Sequence, residues 1–426
     1  MSAPKKIIFT GLGAVCGAGL EVDAIWEKIL AGESAVKEIT AWDARRWPVR
    51  VAAEVTGVDN RTLVEDRKLH KMISRTDLFG LYAADTAIKQ SGLAVHRESL
   101  DAAATALFND RSGIFAGSGG GNYGCNYDFF PAMAAAGGDL KKFGQQFADS
   151  VNPMWLLRNL PNNVLCHVGI RHHFKGANAC ITNHCAGGAL AVAEAAAAIR
   201  AGEADRAVAI GHDAPCEPET VFHFQRLELL SHDAVRPFDR ERNGTVFGEG
   251  AAAVILEKAE DAKLRGAEML GEFLGSGCAT EATGVLKIRP DGDGVRRAIE
   301  LALADANISR DEVGMVVAHG NGTPASDESE ARAIRQVFGE KIPPVTGFKW
   351  AYGHLLAASG IVDLVFALTA LRHKIVPGIP TLNLLDPLLA PLPVAIAPQT
   401  PRSGIALVLC RGFGGMNVAL LVRAHA

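Results

Sequence analysis

The chain has 426 residues, with 43 Lys plus Arg against 47 Asp plus Glu, a net charge of −4 and 48% hydrophobic residues. This balance excludes the global basic field that nucleic-acid binding calls for. The length suits two large or fused units rather than one minimal domain, and 45 glycines imply tight turns and close helix–sheet packing.

In chain order, residues 6–11 read as a strand, Val22–Ala31 as an amphipathic helix and residues 74–91 as a second helix. Residues 112–116 form a strand that runs into the glycine cluster 117–121. An extended segment near 177–181 turns through small residues into an Ala-rich helix over 186–201, followed by strands at 206–211 and 251–257. The charged run 257–265 reads as a join between two halves. In the second half, residues 293–304 are helical with Asp293 as N-cap, 313–319 a strand, 326–337 a helix and Val345–Thr346 the start of a short strand. A helix over 357–371 and strands at 405–409 and 418–422 close the chain. Strands alternating with helices of this length predict an α/β class. Both halves end a strand at a chemically capable residue, which hints at a duplicated unit.

Two glycine-rich segments lead nowhere. Gly11-Leu12-Gly13 lacks the third glycine of a dinucleotide turn, because position 16 is Cys, and the run at 117–121 lacks the Lys-Ser/Thr of a phosphate loop. The eight cysteines, at 16, 125, 166, 180, 185, 216, 278 and 410, include no Cys-x-x-Cys pair and fit a reducing compartment. His167, His172 and His173 have no Cys or carboxylate at a metal-ligand spacing, so they read as structural and no metal is expected. Met-Ser-Ala-Pro-Lys-Lys leads into a short strand rather than a signal-peptide core, and 186–199 contains Glu194 and is too short to span a bilayer. A cytoplasmic protein with no membrane or nucleic-acid partner is expected.

Chemistry concentrates at four places. In Ala-Asn-Ala-Cys-Ile-Thr-Asn-His-Cys-Ala-Gly-Gly (177–188), Cys185 stands at a helix N-terminus, where free N–H groups and the macrodipole favour its thiolate. Gly187 and Gly188 would let a substrate carbonyl approach the backbone. In Val-Val-Ala-His-Gly-Asn-Gly-Thr-Pro (316–324), His319 ends an apolar strand at the sheet edge where ligands bind in α/β proteins. Thr-Gly-Phe-Lys-Trp-Ala-Tyr-Gly-His (346–354) sets Lys349 and His354 before a helix, and Arg-Gly-Phe-Gly-Gly-Met-Asn (411–417) lies between the last two strands.

Together these segments resemble the condensing enzymes of the thiolase superfamily, specifically the elongating β-ketoacyl-[acyl carrier protein] synthases of fatty-acid and type II polyketide pathways. Ile-Ile-Phe-Thr-Gly-Leu-Gly (7–13) and Arg-Pro-Phe-Asp-Arg-Glu-Arg-Asn-Gly-Thr-Val-Phe-Gly-Glu-Gly-Ala (236–251) add to the match, which runs over almost the whole chain. The resemblance implies a thiolase-like five-layer αβαβα fold with two mixed sheets, residues 1–258 carrying the nucleophile and 259–426 the two histidines. Carried over by position, Cys185 takes an acyl chain from phosphopantetheine, and His319 and His354 hold the malonyl thioester oxygen during decarboxylation. The N–H groups of Cys185 and Arg411 would form a second oxyanion hole. Lys349 with Asp363 would support the histidines, and Asn321 and Thr323 fall in the pantetheine-binding motif. The Cys-His-His set implies decarboxylative elongation, since initiating relatives use Cys-His-Asn. No permanently bound cofactor is implied. The implied partners are an acyl carrier protein, docked by Arg67, Lys68 and Lys71, and a second subunit, either a copy of this chain or a homologue like a chain-length factor.

Five positions depart from the family's pattern. Asn183 and His184 stand where Thr-Ala is usual, Asn321 replaces the first Thr of His-Gly-Thr-Gly-Thr, Gly120 replaces a bulky aliphatic residue at the neck of the acyl pocket, and Arg411 replaces the gatekeeper Phe while Phe413 is kept. Changes of this size shift substrate selectivity by more than about 1–3 kcal/mol, so a specialised synthase with an altered acyl pocket around Gly120 and His184 is expected. The rivals are a housekeeping synthase and a non-catalytic partner subunit, and the intact Cys185, His319 and His354 weigh against the latter.

Overall fold

The computed structural model describes residues 5–119 and 123–425. Strand β1 (Ile7–Cys16) is buried at every position, as a near-continuous apolar run requires when both faces of a sheet are covered. With β2 (Ser112–Ser118), β3 (Asn178–Ile181), β4 (Arg206–Asp213) and β5 (Gly250–Lys258) it forms a mixed sheet in the order β3-β2-β4-β5-β1. β3, β2 and β4 run parallel, whereas β5 is antiparallel to both β4 and β1.

The second half repeats this pattern strand for strand. β6 (Gly271–Thr280), β7 (Met315–Val317), β8 (Val345–Thr346), β9 (Ile405–Gly412) and β10 (Met416–Ala424) lie in the order β8-β7-β9-β10-β6. The parallel and antiparallel steps fall at the same places. Ile7–Phe9 also pairs with Gly271–Phe273, so a three-residue ladder joins the two expected sheets into one of ten strands.

Helices α2 (Gly187–Ala201) and α5 (Ser359–His373) pack against each other between the two sheet halves. α1 (Arg75–Ser91) covers the outer face of the first half, and α3 (Asp293–Ala306), backed by α4 (Pro324–Phe338), covers the second. These are the five expected layers. The span Leu356–His373 is apolar enough to cross a membrane by length and composition, but 89% of it is buried in the interior. Its hydropathy therefore reflects its central place in the core.

Three local readings change. The Gly11-Leu12-Gly13 segment lies inside β1, and a Cβ on Gly13 would come within 2.1 Å of the Ala83 carbonyl oxygen on α1, so this glycine serves helix–sheet approach. Asp293 is the first residue of α3 and Gly292, with φ 73°, is its N-cap. The Asp293 carboxylate pairs with Arg296 and Arg297 instead of capping. Strand β6, absent from the sequence-based elements, is rich in small residues and alternates between buried and half-exposed positions, which dilutes its apolar signal.

Candidate active site

β3 leads through Thr182 and Asn183 to a single 3-10 turn, His184–Ala186, and directly into α2. This junction is too tight for side chains. A Cβ on Gly117 at the end of β2 would lie 2.2 Å from the Gly187 carbonyl carbon, and one on Gly211 would lie 2.9 Å from Gly188 Cα. The space over Gly187 is therefore filled by the sheet and that over Gly188 by Ala357 and Ile361 at the entrance of α5, which corrects the expectation that they open the backbone to a substrate.

Cys185 is 4% exposed. The backbone N–H groups of Cys185 and Phe413 hydrogen-bond its sulfur, yet burial pushes the thiol pKa up to about 12, with Asp213 adding to the rise and Lys349 opposing it. The helix terminus does not win here, because the desolvation of a thiolate outweighs two N–H dipoles. The second N–H is that of Phe413, not Arg411 as expected. Arg411 is still within the β9 ladder, and its N–H points to His319 Nδ1 at 3.4 Å.

His319 follows β7. Its own N–H and that of Gly320 donate to the buried Glu330 carboxylate at 2.7 and 2.9 Å. His354 sits between the short helix Lys349–Tyr352 and α5, only 4% exposed. Its Nδ1 lies 2.9 Å from Ser359 Oγ and accepts from the Leu356 N–H at 3.1 Å. Because Ser359 Oγ already accepts from the Leu355 N–H, its hydroxyl proton goes to the imidazole. With Nδ1 accepting in both rings, Nε2 carries the proton in each. The two rings meet edge-on with centroids 5.1 Å apart. Burial drives both pKa values well below the ordinary histidine value, and Lys349 adds to this. Both imidazoles are neutral Nε2–H donors.

Lys349 is fully buried and donates to Asp363 Oδ2 at 2.7 Å, while Tyr352 donates to Oδ1 at 2.6 Å. Burial raises the pKa of Asp363, and Lys349 and Tyr352 counter it. The sequence-predicted pair is thus formed, and the charge of Lys349 acts on both histidines.

A cavity of about 180 Å³ is lined by Cys185, His319, His354, Asn321, Thr323, Arg411 and Phe413. It extends to the exposed Val285 and Leu286. Asn321 Oδ1 accepts from both the N–H and the hydroxyl of Thr323, at 3.0 and 2.8 Å, so it fixes that threonine. Arg411 is buried and turned aside: its guanidinium reaches Glu281 at 2.7 Å, Asn417 Oδ1 at 3.0 Å and the Ser326 carbonyl at 2.8 Å. His184 is absent from the lining of this cavity. Its Nδ1 is 3.1 Å from Cys185 Sγ, and its ring rests against Phe224 and Phe413. Gly120 lies outside the described residues. Arg67, Lys68 and Lys71 are exposed around the turn Leu69–Lys71. His172, from the histidine cluster, pairs with Asp85 at 2.7 Å.

Sequence reasoning did not assign several residues that hold this site. Asp213, at the end of β4, accepts from the N–H groups of Ala214 and Ala357 and so ties the first sheet to the entrance of α5; burial raises its pKa to about 6. Asp327 accepts from the N–H groups of Phe238 and Gly322. Asp327 and Glu330 are three apart on α4, both fully buried. That spacing was visible in Ser-Asp-Glu-Ser-Glu, because it sets two carboxylates on one helix face. Ser359 carried no such signal.

Two family profiles match the chain: the β-ketoacyl synthase N-terminal domain over residues 5–262 and the β-ketoacyl synthase C-terminal domain over residues 270–384. Over 394 residues the chain is 31% identical to the 3-oxoacyl-[acyl-carrier-protein] synthase 2 of Coxiella burnetii, covering 90% of this chain and 89% of the relative. Among solved structures, the ishigamide ketosynthase/chain length factor superposes with a TM-score of 0.88 at 26% identity, covering 100% of both chains. A ketosynthase bound to hexaketide in complex with its type II polyketide acyl carrier protein superposes with a TM-score of 0.84, also at 26% identity and 100% of both chains.

Proposed function

The chain belongs to the β-ketoacyl synthase family and has its thiolase-like fold, and we propose that it catalyses decarboxylative Claisen condensation of a Cys185-bound acyl chain with malonyl-[acyl carrier protein], giving 3-oxoacyl-[acyl carrier protein]. In this reading residues 1–258 supply the nucleophile and residues 259–426 the histidines. The observation that carries it is the pair of neutral Nε2–H imidazoles, His319 and His354, lining one cavity with the sulfur of Cys185.

Loading exchanges one thioester for another: Cys185 sulfur bonds the acyl carbon and the pantetheine thiol departs. Malonyl thioester then enters past Thr323, and its carbonyl oxygen lies between the two Nε2–H donors. Loss of carbon dioxide leaves an enolate whose charge those donors stabilise without changing their own protonation. The enolate carbon attacks the acyl carbonyl, and the N–H groups of Cys185 and Phe413 hold the resulting oxyanion. Cys185 leaves as thiolate and takes one proton from solvent. Lys349 and Asp363 hold the histidines in place, and Asn321 orients Thr323 toward the pantetheine arm.

The altered neck of the site supports a specialised acyl chain. Arg411 turns its guanidinium to Glu281 and Asn417 and so leaves no aromatic side chain at the gatekeeper position. Polyketide-like, polyenoyl or aryl-primed chains fit such a site. The enzyme would work in the cytoplasm with an acyl carrier protein, as a homodimer or beside a chain-length-factor-like homologue.

Intact-protein mass spectrometry tests this directly. Acyl-[acyl carrier protein] should leave an acyl adduct on the wild-type chain and none on Cys185→Ala, and added malonyl-[acyl carrier protein] should consume it with release of 3-oxoacyl product. Absence of any adduct with every carrier-bound acyl group would overturn the assignment. In an acyl-chain competition, a clear preference for saturated medium-length chains would sink the specialised reading alone.

A further inference from the structure

His184 precedes the nucleophile with φ 48°, in the left-handed region that residues with a side chain rarely adopt. That turn brings its Nδ1 to 3.1 Å from Cys185 Sγ. Among the described residues it is the one side chain hydrogen-bonded to the sulfur, beside the N–H groups of Cys185 and Phe413. Phe224 stacks on the ring at 6.1 Å and 17°, and Phe413 lies at 5.4 Å. The other two imidazoles cannot take a proton from the thiol at rest, because each Nδ1 already accepts a hydrogen bond and each Nε2 carries a proton.

Resting on the reading that Cys185 accepts the acyl chain, we propose that His184 is a third catalytic imidazole, the base whose Nδ1 takes the Sγ proton as the sulfur attacks the carrier-bound thioester. The Sγ–H bond breaks as the bond from Sγ to the acyl carbon forms. The bond from the acyl carbon to the pantetheine sulfur then breaks, and His184 returns the same proton to that departing sulfur. Atoms and charge balance with no further reactant. The charged groups acting on the pair are Asp213, which disfavours the thiolate, and Lys349, which favours it, with His354 nearby. Burial pushes the thiol up and the His184 imidazole down, so both partners rest neutral. A proton acceptor acting only at the moment of attack answers that situation.

Alkylation of Cys185 by iodoacetamide reads this role without any acyl substrate. Two variants separate chemistry from packing: His184→Phe keeps an aromatic ring against Phe224 and Phe413, and His184→Asn tolerates the left-handed backbone. Both should alkylate roughly 10²-fold more slowly than wild type at pH 7. The difference should narrow as pH rises toward the thiol's own raised pKa, because hydroxide then removes the proton without help. Acyl loading should slow in proportion, while condensation from chemically preloaded Cys185 should not. Wild-type alkylation rates in both variants across pH 6–10, or an equal loss in loading and condensation, would overturn the proposal. Because alkylation needs no carrier protein, its failure is distinct from a failure of wild-type acyl loading, which would refute the condensing function itself.

Discussion

The turn before α2 and the turn before α5 occupy equivalent places in the two sheet halves, and they are held in opposite ways. The first is a junction of glycines and small residues, with its thiol desolvated and touched by one imidazole. The second is held by buried polar pairs, with Lys349 and Tyr352 on Asp363 and Ser359 on His354. The difference follows from what each turn must do. In the proposed reaction Cys185 is acylated and released and so has to change its bonding, and the one side chain on its sulfur is an imidazole that can take up and return a proton. In the proposed reaction the two imidazoles act as fixed donors and need their tautomers locked, which satisfied polar partners do in a dry interior. Duplicated topology brings the two turns together, and local chemistry gives them separate tasks.

The comparison breaks most severely if the charged support of the second turn is removed. Lys349→Met leaves the Asp363 carboxylate buried with Tyr352 as its remaining partner, at a cost of about 3–5 kcal/mol. Urea denaturation should show this, and Lys349→Met/Asp363→Leu should recover most of it. The loss has a definite pH sign. Burial holds the folded pKa of Asp363 above its unfolded value, so the unfolded chain ionises first as pH rises. The variant's deficit should be smallest below about pH 4 and should grow as pH rises above it. A pH-independent deficit would mean that the lysine matters only for packing.

Arg411→Met is the next step down, because Glu281 keeps the Arg289 N–H at 2.7 Å when the guanidinium goes. A charged hydrogen bond of this kind is worth about 1.5–3 kcal/mol, which thermal unfolding would register. Arg411→Phe should lose similar stability but place a ring at the gatekeeper position and shift acyl-chain preference toward shorter chains in competition assays. Unchanged selectivity would show that Arg411 does not shape the acyl path. Ser359→Ala is smaller again: His354 Nδ1 retains the Leu356 N–H, so about 1 kcal/mol should be lost. Condensation should slow roughly tenfold with loading unchanged. Equal effects on both steps would argue against separate tasks for the two turns.

Legibility in the sequence tracked the same divide. The strand-helix alternation was readable from the apolar runs, and Cys185, His319 and His354, which line one cavity, were readable because each lies in a glycine-bounded turn. Lys349 and Asp363 were placed through the family resemblance, and the structure brings them to 2.7 Å. What escaped was three-dimensional. The N–H of Phe413, not that of Arg411, reaches the Cys185 sulfur because β9 extends to Gly412, and no residue pattern announces where a strand stops within two positions. The thiol's raised pKa depends on how deeply the start of α2 is buried between the two sheet halves, whereas the helix-terminus argument uses only its local chain. Arg411 looked like an open question at the site entrance and proved to be tied into Glu281, Asn417 and Ser326, partners more than 80 residues away in two cases.

The smallest expected effect concerns neither turn but the surface through which carrier-bound substrate would reach them. Arg67, Lys68 and Lys71 are exposed and belong to no ion pair among the described residues, so reversing their charge should leave stability and iodoacetamide alkylation of Cys185 untouched. An exposed charge contributes about 1 kcal/mol or less to such an encounter. Lys68→Glu/Lys71→Glu should therefore raise the dissociation constant for acyl carrier protein roughly tenfold at low salt, mostly through the association rate. The effect should fade as ionic strength rises, since a Debye length of about 8 Å at 0.15 M already screens separated surface charges. Surface plasmon resonance at two salt concentrations reads both features. A salt-independent loss would point to a direct hydrogen-bonded contact, and no loss at all would move the docking surface elsewhere on the fold while leaving the contrast between the two turns intact.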